Sequence, residues 1–101
     1  MRYGLDEQTI QQIQSTLAKF SSIKKAVLYG SRAKGTNKRG SDIDLCLFGD
    51  SLDQKALYQI ESSLDELGLP YTFDLCTYQK VSNNDLKEHI DRVGKYFYEA
   101  P

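Results

Sequence analysis

The sequence predicts an α/β (α+β) fold: a small mixed β-sheet flanked by helices, in one domain spanning residues 1–101. Three observations predict it. Apolar residues recur at helical spacing in three separate segments, centred near residues 13, 60 and 88. Between them lie short β-branched and aromatic runs, each stopped by glycine or a polar turn. The resulting order is αβ(turn)βαβα, which suggests helices lying mainly on one face of the sheet.

Each element has a local reason. Ile10, Ile13, Leu17 and Phe20 share one helical face behind Asp6, a good N-cap, which predicts a helix over 6–20. Lys25-Ala26-Val27-Leu28-Tyr29 reads as a strand ending at Gly30, and a short helix over 31–35 fills part of the gap that follows. Ile43 to Phe48 is the next strand. Ala56, Leu57, Ile60, Leu64 and Leu67 form the stripe of a helix over 53–67, with Gly68 as its stop and Pro70 beyond. Residues 71–76 form a third strand. Ser82, with Asp85 three residues on, predicts a capping box opening a helix over 82–93, whose stripe is Leu86, Ile90 and Val93. The tail Tyr96-Phe97-Tyr98 fits either core packing or an aromatic surface for a partner, and tyrosine, seven in all, is favoured at interfaces.

The chemistry concentrates in residues 30–44, GSRAKGTNKRGSDID. Side chains alternate along a strand, so Asp42 and Asp44 point to the same face. Two carboxylates that close repel unless a cation sits between them, and Mg²⁺ suits such acids together with substrate phosphates. Alone, the pair also fits a polar turn with Ser41-Asp42 capping locally. Gly30 permits a sharp turn, and Ser31 opens a helical turn whose N–H groups favour anions. Residues 21–41 carry six bases (Lys24, Lys25, Arg32, Lys34, Lys38, Arg39) and no acid, whereas residues 42–74 carry eight acids and one base, Lys55. A cationic loop feeding into carboxylates suits a nucleoside triphosphate and its metals, with Arg32 and one or two of Lys34, Lys38 and Arg39 on phosphate. Asp74 lies mid-strand between apolar residues, which is costly for a charge without a partner. If its strand pairs beside 43–48, Asp74 joins Asp42 and Asp44, and three carboxylates can hold two divalent ions roughly 3.5–4 Å apart.

Other phosphate and metal motifs are excluded. No Gly-Lys-Ser/Thr makes a Walker A loop, the glycines at 30, 35 and 40 contain no Gly-x-Gly, and position 47 is leucine where an EF-hand needs glycine. Two cysteines and one histidine build no zinc site. His89 is expected on the polar side of its helix in a surface role.

The arrangement GSRAKGTNKRGSDIDL followed by FDL resembles the nucleotidyltransferase superfamily related to DNA polymerase β, and within it the minimal nucleotidyltransferases (MNT domain). The resemblance implies that Gly30 and Ser31 bind a triphosphate, that Asp42 and Asp44 bind both of two Mg²⁺ ions, and that Asp74 binds the ion activating an acceptor hydroxyl. It further implies transfer of NMP, AMP from ATP, to a hydroxyl, foremost a tyrosine of a HEPN-domain helical partner, with the chain as antitoxin in a hetero-oligomer. A non-catalytic antitoxin that docks on its partner, and transfer to a small hydroxyl compound, are the alternatives.

Composition agrees with these expectations. With 13 basic and 14 acidic residues the chain lacks the long basic groove of a nucleic-acid polymerase. No apolar stretch nears the ~20 residues of a membrane span, and MRYGLDEQT has no signal-peptide apolar region, so a cytoplasmic protein is expected. Cys46 and Cys76 are expected as buried, reduced thiols, close together if their strands are neighbours.

Overall fold

The computed structural model describes residues 1–101. In chain order the elements are α1 (Glu7–Leu17), β1 (Ile23–Tyr29), α2 (Gly30–Lys34), β2 (Ile43–Gly49), α3 (Gln54–Asp65), β3 (Phe73–Thr77), α4 (Asn84–Val93) and β4 (Lys95–Glu99). The four strands form one sheet in the order β3-β2-β1-β4. β1 runs antiparallel to β2 and β4, whereas β2 and β3 are parallel, with α3 as the crossover that parallel pairing needs. The sheet is mixed, as the sequence predicts.

Side-chain carboxamides and carboxylates start the three longer helices. Asp6 accepts the Thr9 N–H at 2.7 Å, Asp53 the Ala56 N–H at 2.8 Å and Asn83 the Leu86 N–H at 3.1 Å. The last differs from expectation: Asn83, one residue after Ser82, is the cap of α4. α1 also ends earlier than expected, at Leu17, because the chain turns back there and Phe20 accepts the Ile23 N–H that leads into β1.

The sheet has helices on both faces, which corrects the expectation of one. On one side α1 and α3 cover it: Ile10, Ile13, Leu17, Ile60 and Leu64 pack on Ala26, Leu28, Ile43, Leu45 and Leu47 in a core cluster of 14 residues. On the other side Ile90 of α4 meets Val27, Tyr29 and Cys46 in a cluster of four. Burying a large aliphatic side chain contributes about 1.5–3 kcal/mol, so the first face carries most of the hydrophobic stabilisation.

The aromatic tail is the fourth strand, and it answers both readings at once. Phe97 is buried in the larger core while Tyr96 is 66% exposed. Lys25 Nζ lies 4.5 Å from the centre of the Phe48 ring and 4.9 Å from that of Tyr96. A register shift between Ala26 and Val27 bulges the pairing here, and bulges and edge lysines such as Lys95 deter further strand addition. No helix is long and apolar enough to cross a membrane.

Candidate active site

The register of β2 on β3 decides where the acids lie. Asp44 stands beside Asp74, Ile43 beside Phe73 and Cys46 beside Cys76. In parallel strands in register, paired residues project to the same face. Asp44 also pairs across with Tyr29, whose side chain lies on the α4 side with Cys46. Asp42 precedes Asp44 by two positions, and its Oδ1 accepts the Thr72 hydroxyl at 2.6 Å, which ties it to the residue two before Asp74. Asp42, Asp44 and Asp74 therefore share the α4 face at one end of the sheet, beside the start of α2.

The crowding has an electrostatic consequence. The Asp44 carboxyl is pushed up to about 6, first by burial and then by repulsion from Asp74 and Asp42, with Arg32 opposing. A divalent cation among the three would remove that repulsion, and their hard oxygen donors suit Mg²⁺. The side chains do not close into a preformed cage, since no group of three Asp, Glu, His or Cys residues has metal-holding geometry. That is compatible with Mg²⁺, which usually takes one or two carboxylates and completes its shell with water and phosphate.

Gly30 fits against Asp44. It ends β1 with φ of 74°, in the left-handed region, and a Cβ there would collide with Asp44 Oδ2. Ser31, half-buried, follows in the first turn of α2, which ends on Gly35 at φ 78°. Gly30 does not offer its N–H to solvent: it donates to His89 Nε2 at 3.0 Å. His89 is thus half-buried against the glycine turn rather than in the expected surface role, and its ring stands edge-on to Tyr29 at 6.1 Å. The spacing of three from Leu86 was the signal that placed it on the inner face.

Arg32 also departs from expectation. Expected on phosphate, it is only 3% exposed. Its Nε and Nη2 both donate to the Ser41 carbonyl, at 3.2 and 2.8 Å, and Nη1 donates to the Tyr3 carbonyl at 2.8 Å. The guanidinium stacks on Tyr71, 4.9 Å from the ring centre. Arg32 clamps the N-terminal turn and the loop just before Asp42, and its charge reaches Asp44 from within. Lys34, Lys38 and Arg39, by contrast, are exposed and outside the ion pairs, which are Arg2–Glu7, Lys24–Asp50 and Arg92–Glu88.

The two free thiols meet on the same face, one pair of residues beyond the acids. Cys76 is drawn down to about 7, chiefly by a hydrogen bond from Cys46 and next by one from Tyr29, whose hydroxyl lies 3.6 Å from its sulfur. Asp42 and Asp74 are exposed, and a groove of about 450 Å³ lies away from them, between α1 and β4. The candidate site is open.

The family described as polymerase beta, nucleotidyltransferase matches residues 11–101. The chain belongs to the polymerase beta nucleotidyltransferase family. No curated protein sequence matches it. Among solved structures, a toxin–antitoxin crystal structure with AMP-PNP superimposes with TM-score 0.72 at 25% identity, covering 95% of this chain and 75% of that one. An MNT antitoxin in complex with the tri-AMPylated HEPN toxin of Shewanella oneidensis gives TM-score 0.71 at 19% identity, over 95% and 74% of the two chains. A toxin–antitoxin MntA–HepT structure gives 0.70 at 20%, over 94% and 74%. The nucleotidyltransferase fold expected from the sequence is the fold observed.

Proposed function

We propose that this chain is a Mg²⁺-dependent nucleotidyltransferase of antitoxin type, moving AMP from ATP to a hydroxyl, foremost a tyrosine, of a HEPN-type helical partner. The observation that carries this reading is the in-register placement of Asp44 beside Asp74, with Asp42 on the same face, against a glycine that admits no side chain. Two similarities support the choice of nucleotide and partner: the AMP-PNP bound in one structural relative and the AMPylated HEPN toxin beside another.

Asp42 and Asp44 would hold both ions and Asp74 the one nearer the acceptor. Bound there, the ions would supply a lowered pKa for the acceptor hydroxyl and neutralise charge on the departing pyrophosphate. The chain's own residues do the rest. The Asp44 carboxylate occupies the space a Cβ at Gly30 would take, so the glycine lets this acid pack against the turn. Ser31 offers a hydroxyl and, with the first turn of α2, amide donors to the triphosphate. Lys34, Lys38 and Arg39 provide unpaired positive charge beside it. Arg32 keeps the loop fixed so that Asp42 meets its neighbours.

The test is mass spectrometry of a HEPN-type partner after incubation with ATP and Mg²⁺. A gain of one AMP, or a small multiple, supports transfer, and Asp44→Asn should slow it by about 10²–10³, the loss typical of one charge-stabilising group. An unmodified but tightly bound partner supports a docking antitoxin instead. Wild-type rates in Asp44→Asn remove the metal assignment.

A further inference from the structure

His89 is the one α4 side chain with a direct polar hold on the glycine turn. Gly30 leaves the sheet, so the strand ladder offers its N–H no carbonyl, and an unpaired N–H at a half-buried position is costly. The imidazole supplies the acceptor from 59 residues away, at 3.0 Å. Acceptance at Nε2 requires the neutral ring with its proton on Nδ1. The ring is also wedged edge-on against Tyr29, the residue that pairs with Asp44. Beyond the bond, Gly30 lies so close to Asp44 Oδ2 that any rotation of its peptide changes the wall behind that carboxylate.

We infer that His89 is a positioning residue for nucleotidyl transfer: it fixes the Gly30 peptide, and through it the placement of Asp44 and the first turn of α2. Its kinetic role presupposes the nucleotidyl-transfer reading; its hold on Gly30 does not. The arrangement also redistributes donors. With the Gly30 N–H engaged, the phosphate contacts expected of the turn fall to Ser31 and the amides after it.

Two substitutions separate the bond from the packing. His89→Phe keeps a ring against Tyr29 and removes the acceptor. His89→Gln keeps an acceptor at comparable reach and removes the ring. Hydrogen exchange of the Gly30 amide, followed by NMR in the protein without nucleotide, should be about tenfold faster in His89→Phe than in wild type, as expected for loss of one hydrogen bond, and restored towards wild type in His89→Gln. Equal exchange in all three proteins overturns the inference, whatever the activity. In the transfer assay, run well below the melting temperature, His89→Phe should lower kcat about tenfold while its melting temperature falls by only the few degrees that loss of one hydrogen bond brings, and His89→Gln should recover most of both. A lower KM for ATP with kcat preserved in His89→Phe overturns it from the other side, since the imidazole would then be competing with phosphate for the Gly30 N–H. Absence of transfer in the wild-type protein would remove the nucleotidyl-transfer reading while the exchange comparison still decides the hold on Gly30.

Discussion

The two faces of the sheet are built for different ends. On the α1/α3 face, Leu45 and Leu47 of β2 are fully buried in a core of 14 residues with no titratable side chain. On the α4 face, the alternate positions of the same strand are Asp44 and Cys46, and the apolar cluster has only four members. One strand thus serves both, because its side chains alternate. Stability is thus concentrated where the strand reads apolar, while the opposite face tolerates crowded carboxylates and a backbone amide whose acceptor is the His89 imidazole rather than a strand carbonyl. α4 buries a single residue, Ile90, so its attachment leans on polar contacts such as His89 to Gly30.

The sharpest way to break the comparison is to empty the first face. Leu45→Ala should cost about 2–5 kcal/mol of stability, read by denaturant unfolding, because a fully buried leucine leaves a cavity. Its neighbour Asp44 should respond oppositely, as below. If both variants destabilise alike, the two faces are not distinct in the way described.

Arg32 tests whether the clamp is structural. Arg32→Ala leaves the Ser41 and Tyr3 carbonyls without their donor and should cost about 2–6 kcal/mol, at roughly 1–3 kcal/mol for each of the two unsatisfied groups. Arg32→Lys should recover little of it, since an ammonium cannot span both carbonyls. A phosphate-contacting arginine on the surface would instead melt like wild type when removed.

Asp44 gives a pH signature. Its folded-state pKa is raised from 3.8 to about 6, so between these values the folded chain holds a proton that the unfolded chain releases. The stability this gives is complete below about pH 4 and is lost as pH rises through about 6. Asp44→Asn removes the loss, so without metal it should melt above wild type at pH 8 and level with it at pH 4. The gain should stay below about 1 kcal/mol, because solvent screens a half-exposed group. Mg²⁺ should narrow the gap at pH 8 by stabilising the wild-type carboxylates.

The smallest effect belongs to Thr72. Thr72→Val removes the hydroxyl that holds Asp42 and should change stability by under about 1 kcal/mol, because both residues are exposed. Transfer should fall a few-fold through a less ordered Asp42, measured as kcat with partner in excess.

Much of this was legible in the sequence, for identifiable reasons. The strands carrying Asp44 and Asp74 announced themselves by β-branched and apolar composition, and period two put Asp42 and Asp44 on one side. Asp74 joined them only conditionally, because pairing register is a tertiary fact. In sequence β4 is only an aromatic tail, since tyrosines on either side of Phe97 fit core packing and a partner surface equally. Arg32 misled because a cation in a basic loop looks solvated; nothing local shows that the Tyr3 and Ser41 carbonyls lie within its reach. His89 reads as a polar helix residue although its spacing from Leu86 points inward, and its partner, Gly30, is too distant in sequence for pattern alone to reveal.

The central claim is that nucleotide and metal meet the protein on the α4 face alone, at the three aspartates and the glycine turn. NMR amide shifts on titrating Mg²⁺ and AMP-PNP into the ¹⁵N-labelled chain test it directly. The expected changes centre on residues 30–35, 42–44 and 72–74 and are lost in Asp44→Asn. Changes centred on α1 and α3, with those segments silent, would contradict it.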